Sequence, residues 1–451
     1  MAIGSDGYTY AWGLNWAGQL GNNTSGGYMT APVRVCDPNS PYDASKGLKA
    51  IQVSAGHDYS LAIGSNGYEY GWGWNGLGQL GGIINTNTSN PNPIPMQVLL
   101  DPNDASTGLK TMQISAGDSH SLAIDQDGSV WAWGFNYHGE IGNSINNSME
   151  NKANPIPMQV LLDPNDASTG LKAKQVSAGG NHSLAIDENT NIWAWGFNHN
   201  GELGNSINKG TIDPNPIPRQ VLLNPNDAST GLKAKQVIGG GNHSLAIDEN
   251  GNIWTWGSNE YGQLGNGSIG SWTSNPTPKQ MMLEPNNAST GLKAMQISSG
   301  YYHSFAVDAN GRGLAWSRNN TGQLGNPEAG NPSPAPMPVV FNLSPVISGV
   351  TFDTSPGTNL SHISNNSVTV FTPEHLPGPV TVSVDYMMGG AGRILTDTSL
   401  TYTYLPAGVL PRAGGEGILL ALATGMTGMG GVLASRQHRR EQHKLSNISH
   451  E

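Results

Sequence analysis

The feature that most constrains this chain is an internal repeat with a period close to 61 residues. A tryptophan, followed by glycine in five copies and by Ser317 in the sixth, recurs at intervals of 60, 61, 62, 61 and 60 residues. These six residues are Trp12, Trp72, Trp133, Trp195, Trp256 and Trp316. Each is followed three positions later by asparagine and then by a Gly-Gln/Glu-Leu/Ile-Gly sequence, as in residues 201–204. A set of positions that recurs six times predicts one structural unit built six times.

Each repeat predicts a four-stranded antiparallel sheet. In the third repeat two short apolar segments flank Asp127-Gly128, which predicts a type I′ hairpin turn because its central positions need positive φ. The four strands of one unit are expected near residues 96–100, 112–115, 122–124 and 130–133. Sheets of this kind bury both faces by stacking, and a radial array of four-stranded sheets is a β-propeller. A β-solenoid is the alternative, but its rungs are usually far shorter than this period.

The composition agrees with an all-β fold. Charged residues make up 12% of the chain, and 61 glycines with 29 prolines favour short strands and turns over a helical bundle. A single cysteine, Cys36, excludes an intrachain disulfide framework and a multi-cysteine metal site. Residues 1–409 hold 16 basic and 29 acidic side chains, and this acidic balance argues against nucleic-acid binding. We expect no cofactor, because nucleophile-elbow, P-loop and zinc-protease motifs are absent from the sequence.

The repeats resemble those of the regulator of chromosome condensation, the RCC1 family. The resemblance rests on Ala-Gly-Gly-Asn-His-Ser-Leu-Ala-Ile at 178–186 and Trp-Gly-Phe-Asn-His-Asn-Gly-Glu-Leu-Gly at 195–204. It covers residues 1–340 and implies a seven-bladed propeller, whereas six units are recognisable here and the first lacks its upstream strand. Either a seven-bladed ring has lost a blade from a truncated chain, or the ring closes with six. A turn-rich insert, found at 101–110, 163–172, 224–233 and 284–293, is expected as an identical loop on one rim of the blades.

Residues 341–405, which follow a proline-rich linker, predict a second small β domain. The segment Thr-Pro-Glu-His-Leu-Pro-Gly at 372–378 and Thr-Tyr-Thr-Tyr at 401–404 resemble an IPT/TIG-type immunoglobulin-like module. An unclassified small β-sandwich is the alternative.

Residues 406–451 resemble an LPxTG-type sorting signal that a sortase recognises. The motif is Leu410-Pro411-Arg412-Ala413-Gly414, with Ala413 where the family has threonine. An uncharged run at 418–434, expected as a short membrane helix, and a basic tail follow it. The resemblance implies cleavage between Ala413 and Gly414 and attachment to peptidoglycan, with membrane contact through 418–434 before processing. A plain transmembrane anchor is the alternative.

Both readings of the C-terminal region place the body of the protein outside the cell. The basic tail stays in the cytoplasm by the positive-inside rule, so the propeller lies on the other side. We therefore expect a protein on the wall of a Gram-positive-type bacterium. Because Met1 leads directly into a blade, we also expect the chain to lack its signal peptide and the first part of the propeller.

Two sets of side chains are candidates for function. His120, His182, His243 and His303 recur at one position of the repeat, where the second unit has Tyr59. A metal site is one interpretation, but metal ligands must converge on one ion, so we favour structural hydrogen bonds between blades and expect no metal. After Trp-Gly, by contrast, the side chains differ between blades on an unchanging framework. This pattern is typical of a binding loop, although packing against a neighbouring blade is an alternative. The candidate ligand contacts are Trp16, Tyr137, His138, His199 and Tyr261.

The sequence thus predicts a non-enzymatic surface protein that binds or adheres to an extracellular glycan or protein ligand, with the propeller as its recognition head. The RCC1 resemblance provides a second interpretation, a regulatory module like a guanine-nucleotide exchange factor. A secreted hydrolase is the third, because some propellers are enzymes, but no convergent acid or nucleophile set is present.

Overall fold

The computed structural model describes residues 1–225, 227–270, 274–282, 291–340, 345–364, 367–388, 395–404 and 418–421. The chain divides into two compact units, Met1–Val339 and Val340–Glu451. The regular secondary structure of the described residues consists of strands joined by turns and loops, apart from two short 3₁₀ turns at Ala105–Thr107 and Ala167–Thr169.

The described part of the first unit contains six antiparallel sheets, one for each sequence repeat. The first sheet has three strands, β1 (Ala2–Ile3), β2 (Thr9–Leu14) and β3 (Tyr28–Arg34). Each of the other five has four strands in sequence order. Their bounds are β4 (Ala50–Ala55), β5 (Tyr59–Gly64), β6 (Glu69–Gly73), β7 (Asn92–Gln97), β8 (Thr111–Ala116), β9 (His120–Asp125), β10 (Val130–Gly134), β11 (Met158–Gln159), β12 (Gln175–Ala178), β13 (His182–Ile186), β14 (Ile192–Gly196), β15 (Arg219–Gln220), β16 (Gln236–Gly239), β17 (His243–Ile247), β18 (Ile253–Ser258), β19 (Ser274–Gln280), β20 (Ala294–Ser299), β21 (His303–Asp308), β22 (Gly313–Ser317) and β23 (Ser333–Pro338).

Successive sheets contact each other through their first strands, so that β8 lies beside β4, β12 beside β8, β16 beside β12 and β20 beside β16. A glutamine amide bridges each of these neighbours. The Gln175 side chain donates to Val237 O at 3.0 Å and accepts from Val237 N at 3.0 Å. Apolar side chains from two sheets fill the space between them, as Leu184, Ile186, Val237 and Trp256 do. The predicted all-β propeller of four-stranded sheets is therefore confirmed, and only the first sheet has fewer strands.

The hairpin turn within each sheet differs from the predicted type I′ turn. In the third sheet only Gly128 has positive φ, at 79°, and its N–H donates to Asp125 O at 3.1 Å. The Asp125 carboxylate accepts from the N–H groups of Asp127 and Ser129. This is a three-residue loop that ends in a left-handed glycine. In the fourth sheet Thr190 takes that conformation, with φ at 66°.

The insert between blades has the same hydrogen bonds in successive copies. The N–H of Asp101 donates to Thr107 Oγ1 at 2.9 Å, and that of Asp163 donates to Thr169 Oγ1 at 2.9 Å. Lys110, at the end of the insert, pairs with Tyr68, just after the hairpin turn. The insert therefore lies on the side of the propeller that carries the hairpin turns. In the last copy, residues 284–290 lie outside the described part of the chain.

The described residues of the second unit form two antiparallel sheets with one shared core. Phe352, Val370, Val382 and Leu400 belong to this core. The strand order is β25-β24-β28-β29 in one sheet and β26-β27-β30 in the other. The bounds are β24 (Pro345–Phe352), β25 (Ser355–Pro356), β26 (Thr358–Ser364), β27 (Ser367–Phe371), β28 (Gly378–Met388), β29 (Leu395–Tyr404) and β30 (Ile418–Ala421).

Strand β30 falls at the start of the apolar run predicted as a helix over 418–434. The helix prediction is wrong for Ile418–Ala421, which pair antiparallel with β27. The physical reason is that β27 has a second edge besides the one paired with β26. The unpaired N–H and C=O groups of such an edge form hydrogen bonds with another strand. Residues 422–434 and the sorting motif Leu410–Gly414 lie outside the described residues. Within the described ranges no helix has the length and apolar composition needed to cross a bilayer.

Candidate functional site

The loops that follow Trp-Gly are held by the asparagine of the repeat. In the fourth sheet Asn198 Oδ1 accepts from Leu203 N at 3.0 Å. Its Nδ2 donates to Ile207 O at 2.6 Å and to Asn205 O at 3.1 Å. The buried amide thus satisfies three backbone groups of the loop, which explains why this position remains asparagine while its neighbours vary.

A backbone carbonyl in each loop joins one sheet to the next. Glu140 O accepts from Trp195 Nε1 at 2.8 Å and from Ser183 Oγ at 2.8 Å. The same pair of bonds recurs at Gln19 O with Trp72 and Ser60, Gln79 O with Trp133 and Ser121, Glu202 O with Trp256 and Ser244, and Gln263 O with Trp316 and Ser304. These five tryptophans are fully buried.

Trp12 differs from these five tryptophans. It is 45% exposed, and among the described residues no carbonyl of another sheet accepts a hydrogen bond from its indole. The sequence motif alone therefore does not make this tryptophan part of a blade junction.

The residue that supplies this carbonyl also has a buried side chain, as Glu140 and Glu202 show. Glu140 Oε2 accepts from His138 N at 2.8 Å, and Glu140 Oε1 has no hydrogen-bond partner. Burial raises the pKa of Glu140 to about 8 and that of Glu202 to about 7. The other four repeats carry glutamine here. Glu140 is therefore protonated at neutral pH and is similar in hydrogen bonding to a glutamine.

The repeated histidines lie between blades. His120, His182 and His243 are buried, with Nε2 at 3.0, 3.0 and 2.9 Å from the serine Oγ atoms of Ser183, Ser244 and Ser304 in the next sheet. Burial lowers the pKa of His120 to about 4, so this imidazole is neutral. His303, in the sixth sheet, is only half-buried. In the described part of the chain no three His, Cys, Asp or Glu side chains converge as metal ligands.

Two segments of each blade form one continuous surface. Phe135 N donates to Ser119 O at 2.9 Å, and Phe197 N donates to Asn181 O at 2.8 Å. These bonds tie the residue after Trp-Gly to the turn between the first and second strands. We call the surface formed by these turns and the four residues after each Trp-Gly the loop face.

Three of the candidate residues belong to one aromatic row on the loop face. The ring centroids of Phe135 and Tyr137 are 6.2 Å apart, and those of Tyr137 and His138 are 4.7 Å apart. The row continues into the next blade, where His138 lies 4.3 Å from Phe197 and Phe197 lies 5.9 Å from His199. All five rings are partly exposed. The row therefore offers a continuous aromatic surface across a blade junction.

The other two candidates lie in separate groups on the loop face. Trp16 Nε1 donates to Asp58 Oδ1 at 2.7 Å, and His57 Nδ1 lies 2.7 Å from Asp58 Oδ2. The hydrogen bond to this carboxylate raises the pKa of His57.

Tyr261 packs against Tyr302, with ring centroids 5.1 Å apart, and the Arg318 guanidinium lies 5.3 Å from the Tyr261 ring.

A pocket of about 560 Å³ opens beside the aromatic row. Asp118, Ser119, Phe135, Tyr137 and Glu150 are among its lining residues.

Sequence reasoning missed several residues of the loop face, namely His57, Asp58, Asp118, Tyr301 and Tyr302. The sequence did carry a signal for them. The two residues that precede the repeated His or Tyr differ between repeats, as His57-Asp58 in the second and Tyr301-Tyr302 in the sixth show.

The junctions and the loop face define a β-propeller built from a repeated blade. A family model described as the RCC1-like domain matches residues 38–372, and a model of the RCC1 repeat matches residues 6–63. The chain belongs to the RCC1-like domain family, and the prediction of an RCC1-like propeller is confirmed.

Similar proteins occur in plants and animals. The ultraviolet-B receptor UVR8 of Arabidopsis thaliana is 28% identical over 328 residues, which are 72% of this chain and 64% of the receptor. The human E3 ubiquitin-protein ligase HERC2 is 25% identical over 72% of this chain, but the match spans 6% of the ligase. Among solved structures, yeast RCC1 (Prp20) bound to Kap60 has a TM-score of 0.57 at 20% identity, covering 83% of this chain and 78% of that one. Human WBSCR16 has a TM-score of 0.57 at 19% identity, covering 88% and 94%.

Proposed function

We propose that the propeller is a non-enzymatic recognition head that binds an extracellular glycan or protein through its loop face. The observation that carries this proposal is the aromatic row from Phe135 to His199, which crosses a blade junction on loops fixed by buried asparagines. Aromatic side chains supply large contact areas at low entropic cost, and a rigid framework keeps them in place before binding.

Packing within the protein accounts for only part of this surface. The repeated interior of the junctions already includes buried tryptophan, serine and asparagine side chains. The side chains of the row vary from blade to blade and remain partly exposed, and Trp16 is 41% exposed. Residues that vary on a constant scaffold are typical of a binding surface.

The proposed location is the outside of a bacterial cell wall. Its support is the sequence order of the Leu410–Gly414 motif, the uncharged run and the basic tail. In this proposal a sortase joins Ala413 to peptidoglycan, and residues 341–405 form an IPT/TIG-like module that lies between the propeller and the sorting motif in the sequence.

The test is binding of the full chain to glycan and extracellular-protein arrays. The double variant Tyr137→Ala plus His199→Ala should lose the signal. Gln126→Ala plus Glu188→Ala, on the exposed hairpin turns, is the matched control and should retain it. Equal loss in both variants, or a signal that survives the first, would contradict a binding role for the aromatic row. Cell fractionation tests the location separately, and an unprocessed chain in the cytosol would contradict the proposed cell-wall location.

A regulatory module of the exchange-factor type is a second candidate, and membership of the RCC1-like family favours it. Faster nucleotide release from a small GTPase in the presence of the full chain would support it over adhesion.

A further inference from the structure

We propose that the pocket beside the aromatic row binds a cationic side chain, an arginine guanidinium or lysine ammonium, of a protein ligand. This inference rests on the proposed binding role of the loop face and names the chemistry that the face recognises. The pocket lies between the third and fourth blades, and its walls include Asp118, Phe135, Tyr137 and Glu150.

The charge of the pocket is negative. Asp118 is half-buried in its wall and Glu150 is exposed at its edge. Neither lysine nor arginine is among the residues that line it. His138 also lines the pocket, but burial lowers the pKa of its imidazole, so it supplies no positive charge at neutral pH. The Asp118 carboxylate is attracted by His57 outside the lining, but His57 Nδ1 already lies 2.7 Å from Asp58 Oδ2. A ligand cation would supply the counter-charge that the lining itself lacks.

The aromatic walls suit the same ligand. The rings of Phe135 and Tyr137 are nearly parallel, with an angle of 7° between their planes, and both residues line the pocket. Faces of aromatic rings attract cations, and the attraction grows when the cation is partly desolvated. A pocket that combines such rings with carboxylates recognises both the charge and the flat apolar surface of a guanidinium.

The loop face already contains a cation packed on aromatic rings at another junction. Between the fifth and sixth blades, the guanidinium of Arg318 lies 5.3 Å from the ring of Tyr261 and 5.0 Å from that of Tyr302. Arg318 occupies the loop position that Phe197 occupies in the aromatic row. A cation that packs on aromatic rings is therefore already part of this surface.

A neutral sugar fits this pocket less well. Covering Asp118 with an uncharged ligand would remove water from a carboxylate without supplying a counter-charge, and that costs free energy. Burial already raises the pKa of Asp118. A protein segment that presents arginine or lysine removes this penalty, so we expect a basic protein ligand and not a neutral glycan.

The experiment is calorimetric titration of the full chain with a blocked pentapeptide that carries one arginine between glycines. The matched probe replaces arginine by citrulline, which keeps the shape and loses the charge. We expect saturable binding of the arginine peptide only. Asp118→Asn and Tyr137→Leu should each weaken it about tenfold or more, while Asp127→Asn, the same charge change on an exposed hairpin turn, should leave it unchanged.

Thermal unfolding of each variant, compared with the parent chain, shows whether it is folded. The inference is overturned if the two peptides bind equally, if the arginine peptide shows no saturable binding, or if a folded Asp118→Asn protein binds as the parent does. Binding of neutral oligosaccharides that depends on Tyr137, without arginine binding, would overturn this inference and leave the proposed function standing. Array binding that persists in the Tyr137→Ala plus His199→Ala variant would overturn the proposed function instead.

Discussion

Replacing Glu140 by glutamine should stabilise the propeller at neutral and alkaline pH. The fully buried carboxyl accepts one backbone hydrogen bond and has one oxygen without a partner. The second repeat shows that an amide fits this position. Gln79 Oε1 accepts from Leu77 N at 3.0 Å, and Gln79 Nε2 also lacks a partner. The fold therefore already accommodates, at Gln79, the same buried amide that the substitution would place at position 140.

The size of the effect follows from the pKa of Glu140, which burial raises from 4.5 to about 8. Below pH 4.5 the carboxyl is protonated in both the folded and the unfolded chain. Above it, the unfolded chain loses this proton and the folded chain keeps it, so the free energy of unfolding falls as pH rises. Between the unfolded and the folded pKa, each pH unit lowers the free energy of unfolding by about 1.4 kcal/mol, so the loss is about 3 kcal/mol at pH 7. The decrease stops near the pKa of the folded chain.

The assay is urea unfolding of the parent and Glu140→Gln proteins at pH 5 and at pH 8. We expect the two to differ by less than about 1 kcal/mol at pH 5, and the variant to be more stable by about 3 kcal/mol or more at pH 8. Gln79→Glu is the matched control and should do the reverse, losing stability only at the higher pH. A stability difference that is the same at both pH values would refute the reasoning.

Three further predictions concern stability and use the same urea assay. Glu69→Val should stabilise the chain by about 2 kcal/mol or more at pH 8, because both buried oxygens of Glu69 lack partners; an unchanged midpoint would contradict this. Trp195→Ala should cost about 3–5 kcal/mol, whereas Trp12→Ala, at the exposed position, should cost less than about 1 kcal/mol; equal costs would refute the junction role. Gly201→Ala should cost about 3 kcal/mol or more, because a Cβ atom there would lie 2.6 Å from the backbone of the next blade, and Gly322→Ala, with nothing within 4 Å, should cost only about 1–2 kcal/mol.

The repeated blade could be predicted from the sequence because the residues that build it are fixed in type and spacing. The asparagine after Trp-Gly and the buried tryptophan have side-chain roles that only those residues fulfil. The bonds between blades, by contrast, end on a backbone carbonyl, which any residue carries. The repeated Gln or Glu marks the position of the junction acceptor, but it does not reveal that the acceptor is the main-chain oxygen.

Other features depend on three-dimensional neighbours that a local pattern does not reveal. An Asp-Gly pair fits a type I′ turn and a three-residue loop equally well, and backbone hydrogen bonding decides between them. The uncharged run at 418–434 has the composition of a helix, but its first residues pair with an available strand edge. The position of His57 carries a different residue in each of several repeats, such as Asp118 and Tyr301, so residue type alone does not predict its contact with Asp58.

The double hydrogen bond to one main-chain carbonyl at each junction has a consequence for how such chains evolve. Because Trp195 and Ser183 both bond to a backbone oxygen in the blade before them, this pair of bonds does not depend on the side chain at that position. Unequal recombination between repeats that adds or deletes a whole blade would keep this pair of bonds at the new junction. Meanwhile, substitutions among the side chains of the loop face do not touch that oxygen. The number of blades and the choice of ligand can therefore diverge independently in descendants of one ancestral gene.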